Sequence, residues 1–203
     1  MFVTFESVDG AGKSTQAGLL AAALGPETLL LREPGGTAAG ERLRDLLKDG
    51  SLDLHIRAEL MLFCAARAQL VEERIRPALA AGRDVVCDRF IDSTVAYQGF
   101  ARGLGSDDVN ALNELAIAGC RPDRTVLLEV GVDWAADRAR ERQAADPPAA
   151  PRDRFESEGI EFQRTVADAF RSIAAAEPER FLVVDAEGDV QEVHERVRAA
   201  LGR

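Results

Sequence analysis

Positive charge is what this sequence lacks most. Lys and Arg together number 25 against 35 Asp and Glu, a net charge of −10. A surface built throughout to hold nucleic acid or anionic membrane is therefore excluded, and any polyanion must bind at a local basic site. Lysine itself is almost missing: Lys13 and Lys48 are the only two, and the remaining 23 of the 25 cations are arginines. Under that bias a lysine kept at position 13 is mildly informative. The three cysteines, Cys64, Cys87 and Cys120, lie far apart with no C-x-x-C, and His55 and His194 are the only histidines. A disulfide framework is excluded, no metal cluster suggests itself, and buried free thiols in a reducing compartment are expected. Long apolar runs are also absent, since Met1-Phe2-Val3 meets acids at Glu6 and Asp9 before a signal or membrane segment can form. The expectation is a soluble cytoplasmic protein, and 203 residues fit one domain without internal repeats.

What is present begins at Ser7-Val8-Asp9-Gly10-Ala11-Gly12-Lys13-Ser14-Thr15. Residues 2–5 read as a short buried strand and 16–24 as a helix. A strand that delivers a glycine-rich turn to a helix start presents backbone N–H groups and the positive end of a helix dipole to an anion. Lys13 would reach the β- and γ-phosphates of a nucleotide, and the Ser14 hydroxyl would sit on Mg2+. The full pattern has glycine where this chain has Ser7. Serine fits there only with φ below zero, because a Cβ disfavours positive φ.

Further apolar runs at 28–31, 85–87, 125–130 and 181–184 read as strands. They alternate with helical stretches at 38–48, 56–81, 107–118, 133–142, 159–176 and 190–201. Continuous apolar strands alternating with helices predict an α/β fold, a five-stranded parallel sheet covered on both faces. Ligands in such folds gather at the carboxyl ends of the strands. That edge would hold the loop at 7–12, the segment Arg32-Glu33-Pro34-Gly35-Gly36-Thr37, the pair Asp88-Arg89, and residues 129–133. One stretch breaks the pattern: Pro147, Pro148 and Pro151 forbid a helix. Arg138, Arg140, Arg142, Arg152 and Arg154 flank it with Glu141, Asp146 and Asp153, so five minus three leaves about +2 locally. A mobile basic flap, about 138–158, would meet charge on a transferred group and exclude water; a solvated linker is the plainer alternative.

Asp88 ends a buried strand, where a P-loop protein holds its second Mg2+ contact, usually through water. Arg89 follows at once, and a guanidinium can clamp a second phosphate bidentately. The guanine-reading Asn-Lys-x-Asp and the kinase His-Arg-Asp loop are both absent. Phosphoryl transfer between nucleotides suits these features, with positioning and charge neutralisation carrying the rate.

Three segments, Phe5-Glu6-x-x-Asp9-Gly10-Ala11-Gly12-Lys13-Ser14-Thr15-Gln16, Arg32 to Thr37, and Asp88-Arg89-Phe90-x-Asp92-Ser93-x-x-Ala96-Tyr97-Gln98-Gly99, together resemble bacterial thymidylate kinase. Weaker likeness runs through Arg121-Pro122-Asp123, Asp153-Arg154-Phe155-Glu156 and Val184-Asp185-Ala186, nearly the whole chain. The resemblance implies a P-loop three-layer sandwich in one nucleoside monophosphate kinase domain over 1–203, with a short mobile lid. It implies conversion of dTMP to dTDP with ATP and Mg2+, a step in dTTP synthesis, in a cytoplasmic homodimer that binds neither nucleic acid nor membrane. By resemblance, residues 7–15 bind ATP, that is Ser7, Val8, Asp9, Gly10, Ala11, Gly12, Lys13, Ser14 and Thr15, and Ser14 and Asp88 hold the metal. Asp9 resembles the acid that holds the sugar 3′-hydroxyl. Phe63 resembles the ring that stacks on thymine and Arg67 the arginine that bonds its O4; the four-residue spacing puts both on one helix face, although Phe63 alone would read as core packing. Arg89, with Arg44 as the weaker candidate, resembles the acceptor-phosphate clamp. Ser93 and Thr94 fall where the thymine ring is bound, Tyr97 where a ring crowds the 2′ position, and Gln98 among the substrate-binding residues. No basic residue stands at Val8, Asp9 or Ala11, so the chain resembles the type whose lid supplies the catalytic arginine, Arg142 or Arg154 beside Lys13, Asp9 and Arg89. Two letters depart from the pattern: Ser7 replaces glycine, and Arg164 stands one place before the expected position, Thr165. Two other readings stay open, a deoxynucleoside kinase and a non-catalytic nucleotide-binding regulator.

Overall fold

In the computed structural model, residues 1–145 and 158–203 are described, the side chains of Arg142, Gln143 and Ala145 excepted. Five strands, β1 (Phe2–Glu6), β2 (Leu29–Arg32), β3 (Val85–Asp88), β4 (Arg124–Glu129) and β5 (Phe181–Asp185), form one parallel sheet in the order β2-β3-β1-β4-β5. The central strand is buried along its whole length, as a strand covered on both faces must be. Alternation divides its side chains: Val3 and Phe5 join one core cluster with Leu20, Val126, Phe170 and Val193, while Phe2 joins another with Val85, Leu70, Ile75 and Ile117. Phe2 and Phe5 are both fully buried, and each such ring contributes about 2–3 kcal/mol.

This strand order decides where the chemistry lies. β1 and β3 pair with Phe5 opposite Asp88, and β2 and β3 with Arg32 opposite Asp88. Three strands therefore end at one level, and the loops that follow them share one edge.

Helices α1 (Lys13–Leu24) and α2 (Ala38–Lys48) follow β1 and β2. The helix expected at 56–81 forms as α3 (Ile56–Leu70), a π-helical stretch (Val71–Ile75) and α4 (Arg76–Ala80). Pro77 accounts for the break, because its ring would collide with a carbonyl four residues earlier in a regular helix and the wider turn gives it room. A segment with no expected structure, α5 (Ile91–Thr94) and the π-helical Val95–Ala101, follows β3. Then come α6 (Ser106–Ile117), α7 (Val132–Ala145), α8 (Ile160–Ala176) and α9 (Val190–Ala200). The α/β expectation with a five-stranded parallel sheet is met, and among the described residues no helix is long and apolar enough to cross a membrane. The three-proline stretch, most of the expected lid, and Arg152 and Arg154 lie outside the described residues.

Candidate active site

The loop between β1 and α1 takes its shape from two glycines. Gly10 has φ 87° and Gly12 φ 92°, in the left-handed region that a Cβ disfavours. A Cβ on Gly10 would lie 2.2 Å from the carbonyl oxygen of Ala135, so α7 presses directly on the loop. With Gly12 as its left-handed cap, α1 begins at Lys13, three residues before the expected start. No side chain caps it, which leaves the N–H groups of its first turn open to an anion. Ser7 is explained as well. Among the described residues, only Arg89 and Ala118 have positive φ without being glycine, so Ser7 meets its condition. Its hydroxyl donates to the carbonyl of Leu128 at 2.6 Å, tying the loop to β4.

Lys13 is buried, with Nζ donating to the carbonyls of Val8 at 2.7 Å and Ser7 at 3.2 Å. Burial, and after it the charge of Arg89, push its ammonium down to about 8. An ammonium this poorly solvated gains from any phosphate that enters. Next along the helix, the Ser14 hydroxyl donates to Oδ2 of Asp88, whose Oδ1 is buried and has no hydrogen-bond partner. An orphan carboxylate oxygen beside a hydroxyl fits a divalent cation that completes its shell with water and phosphate. It also fits the finding that no group of three or more His, Cys, Asp or Glu among the described residues could hold a metal alone.

Arg89 departs from ordinary backbone, with φ 70°, at a cost of about 1–2 kcal/mol for a residue with a Cβ. Such strain persists only where the surroundings fix it. Its guanidinium donates to Asp9 Oδ1 at 2.5 Å, to Ser93 Oγ at 2.9 Å, to the Ser7 carbonyl at 3.2 Å and to the Tyr97 hydroxyl at 3.3 Å. It also lies 5.0 Å above the Tyr97 ring, and the Arg89 side chain is 18% exposed against 40% for Asp9. Burial works against the charge of Asp9, but Arg89 and then Lys13 outweigh it and hold the carboxyl below its usual range. Among the described residues, Oδ2 of Asp9 accepts two long bonds, from Tyr97 at 3.3 Å and from Gln163 Nε2 at 3.4 Å. That oxygen can take a shorter donor from a ligand.

These groups open into one cleft of about 480 Å³. Asp9, Gly10, Gly12, Lys13, Ser14 and Thr15 line it on the loop side, while Ser7 and Ala11 are buried behind it. Val8, Arg44, Phe63, Arg67, Asp88, Arg89, Ser93, Thr94, Tyr97 and Gln98 complete the expected set on its walls. Several of these are already engaged. Arg67 is fully buried and donates to Glu33 Oε2 at 2.9 and 2.5 Å, to Asn113 Oδ1 at 2.6 Å and to the Phe90 carbonyl at 3.0 Å. Among the described residues these contacts take four of its five N–H groups. Arg44 donates to the Pro34 carbonyl at 2.9 Å, and Gln98 to Glu59 at 2.8 Å.

Of the flap arginines, Arg140 lines the cleft while Arg138 stacks 4.7 Å over the Trp134 ring; the side chain of Arg142 and all of Arg154 lie outside the described residues. The exposed Arg164 pairs with Glu161 and Asp133, away from Asp9, whereas its neighbour Gln163 reaches Asp9. Of residues 129–133 only Val132 touches the cleft, because Glu129 turns to Arg171. Glu33, Lys48 and Gln163 are cleft residues to which sequence reasoning gave no role. Glu33 stood inside a quoted motif at a strand end and was within reach. Gln163 was not, since nothing local marks a residue 154 positions from its partner Asp9.

The profile of the family described as "Thymidylate kinase" matches residues 5–197. A thymidylate kinase of Solidesulfovibrio magneticus is 49% identical over 207 residues, covering 100% of this chain and 99% of its own. One from Pelobacter propionicus is 45% identical over 203 residues, covering 98% and 92%. Among solved structures, the crystal structure of thymidylate kinase from Ehrlichia chaffeensis superposes with a TM-score of 0.81 at 34% identity, over 99% of this chain and 98% of that one.

Proposed function

This chain belongs to the thymidylate kinase family, and from that premise we propose how its cleft makes dTDP and ADP from dTMP and ATP. The enzyme is an ATP:dTMP phosphotransferase. One observation carries the assignment of roles: two cations from the ends of adjacent strands, the buried Lys13 after β1 and the half-buried Arg89 after β3, both act on the carboxylate of Asp9 in one cleft. A site that must hold two phosphates in line needs two such cations with their separation fixed.

Lys13 and the first turn of α1 hold the donor's β- and γ-phosphates, and Arg89 holds the acceptor's 5′-phosphate. Oδ2 of Asp9 receives the sugar hydroxyl, and Tyr97 closes the space beside the ring. Phe63 and the fifth N–H of Arg67 face the base, with Ser93, Thr94 and Gln98 on the same wall and Arg44 as a second cation near the acceptor. Ser14 and Asp88 would hold Mg2+, which would supply charge neutralisation on the donor phosphates. A lid arginine, Arg142 or Arg154, meets the transferred group from the other side. The whole works as one catalytic domain.

A release of ADP that depends on dTMP and stops when EDTA removes the metal supports this reading; ADP release that ignores EDTA would remove the metal role of Ser14 and Asp88. We propose a homodimer through α3 and α6, a reading supported by the exposure of Met61, 58%, and Leu115, 77%. Light scattering at twice the 21.9 kDa chain mass checks it, and a monomer mass would refute it. The buried thiols Cys64, Cys87 and Cys120 fit a cytoplasmic site of action.

A further inference from the structure

Glu6 is the last residue of β1, fully buried, and it lines no part of the cleft. Burial alone would favour an apolar side chain there, because a carboxyl group loses its hydration. Burial, and after it the nearby Asp92, push the Glu6 carboxyl up to about 8 against the pull of Arg89 and of its hydrogen bonds. Asp92 itself is taken by Arg180, which grips it with two hydrogen bonds of 2.7 and 2.8 Å. Glu6 is left to a different partner.

Both oxygens of Glu6 meet one segment. Oε1 accepts from the N–H of Phe90 at 2.8 Å and of Ser93 at 3.2 Å, and Oε2 is 2.5 Å from the Ser93 hydroxyl. Phe90 follows Arg89, the residue in the left-handed conformation. The N–H of Arg89 donates to the carbonyl of Phe5 at 3.0 Å. Two successive amides, one on each side of the strained residue, are thus anchored to two successive residues of β1. Ser93 Oγ also accepts from Arg89 Nη1 at 2.9 Å. One buried carboxyl therefore holds Arg89 by its backbone through Phe90 and by its guanidinium through Ser93.

We propose that Glu6 is a positioning residue, and that its contacts with Phe90 and Ser93 set the Arg89 guanidinium for the acceptor phosphate. The proposal rests on the reading of Arg89 as that clamp. It predicts that Glu6 governs recognition of the phosphate while leaving recognition of the nucleoside alone. Glutamine keeps an oxygen toward both amides and an N–H toward Ser93; alanine keeps neither.

The test is calorimetric titration of the full chain with dTMP and with thymidine, in the wild type, Glu6→Ala and Glu6→Gln, after circular dichroism has confirmed the fold. The preference for dTMP over thymidine should fall about tenfold or more in Glu6→Ala, the loss expected when a charge-assisted phosphate contact is misplaced. Thymidine affinity should hardly change, and Glu6→Gln should restore most of the preference. A folded Glu6→Ala protein with the wild-type preference, or one that loses both ligands by the same factor, would overturn the proposal. Should Glu6→Ala not fold, Glu6→Asp, one methylene short of the same amides, takes its place with the same two outcomes. A wild type that binds dTMP and thymidine alike would remove the acceptor role of Arg89 itself, and the proposal with it, before any variant is made.

Discussion

Replacing Arg89 with alanine should lower kcat/KM for dTMP by about three orders of magnitude, a loss in the range seen when a positioned phosphate cation is removed. The geometry explains why one side chain matters so much. Its guanidinium is already oriented by Asp9, Ser7, Ser93 and Tyr97, so it need not reorganise when a phosphate arrives. Lysine should not substitute well, because an ammonium on a flexible stem offers no planar fork to two phosphate oxygens. Binding of ATP should stay nearly unchanged, since the donor side is built from Lys13 and α1. Stability should fall by only about 1 kcal/mol, because Asp9, 40% exposed, can be solvated once its partner is gone. Steady-state kinetics with dTMP and with ATP varied in turn check this split. A variant whose loss falls mainly on ATP would move Arg89 to the donor side.

Lys13→Met should be the second large effect, with kcat down by about 10²–10³ and the protein as stable as the wild type or more so. The two halves of that expectation have one cause. Lys13 is buried over the carbonyls of Ser7 and Val8, with its ammonium pushed down to about 8 by burial first and Arg89 second. Holding that charge there is unfavourable to folding, so a methionine of similar length relieves the strain while removing the cation that the phosphates need. Single-turnover kinetics beside thermal melts would read both. A marked loss of stability would mean that the ammonium braces the loop, and its phosphate role would have to be reconsidered.

The sequence made the donor half of the site and the Arg89 clamp legible, and the rest of the acceptor half only through family likeness. Gly10, Gly12, Lys13 and Ser14 lie within one local turn whose conformation follows from residue type, so their placement could be read directly. Asp88 was legible for a similar reason, as an acid that ends an apolar strand. The sheet order β2-β3-β1-β4-β5 is what sets Asp88 beside Ser14, and no local pattern encodes it. The helical stretch after β3 went unseen because apolar and hydroxyl residues alternate there without a clear period, and its π-helical half has a spacing that 3.6-residue counting does not detect. Phe63 and Arg67 shared a helix face as expected, but the spacing could not reveal that Glu33 and Asn113 already occupy most of the Arg67 guanidinium. Ser7, the odd letter of the loop, needed the third dimension. Its hydroxyl is matched to a carbonyl on β4, 121 positions away.

Everything proposed for this cleft turns on its holding a donor phosphate at Lys13 and an acceptor phosphate at Arg89. ADP release measured in parallel with dTMP, dUMP, dCMP and thymidine as acceptors tests it most directly. Turnover should be fast with dTMP, weaker with the other monophosphates, and almost absent with thymidine, which gives Arg89 nothing to hold. Turnover with thymidine equal to that with dTMP would make the chain a nucleoside kinase, and no acceptor-dependent turnover at all would make it a nucleotide-binding regulator. Either result would refute this placement of the two phosphates.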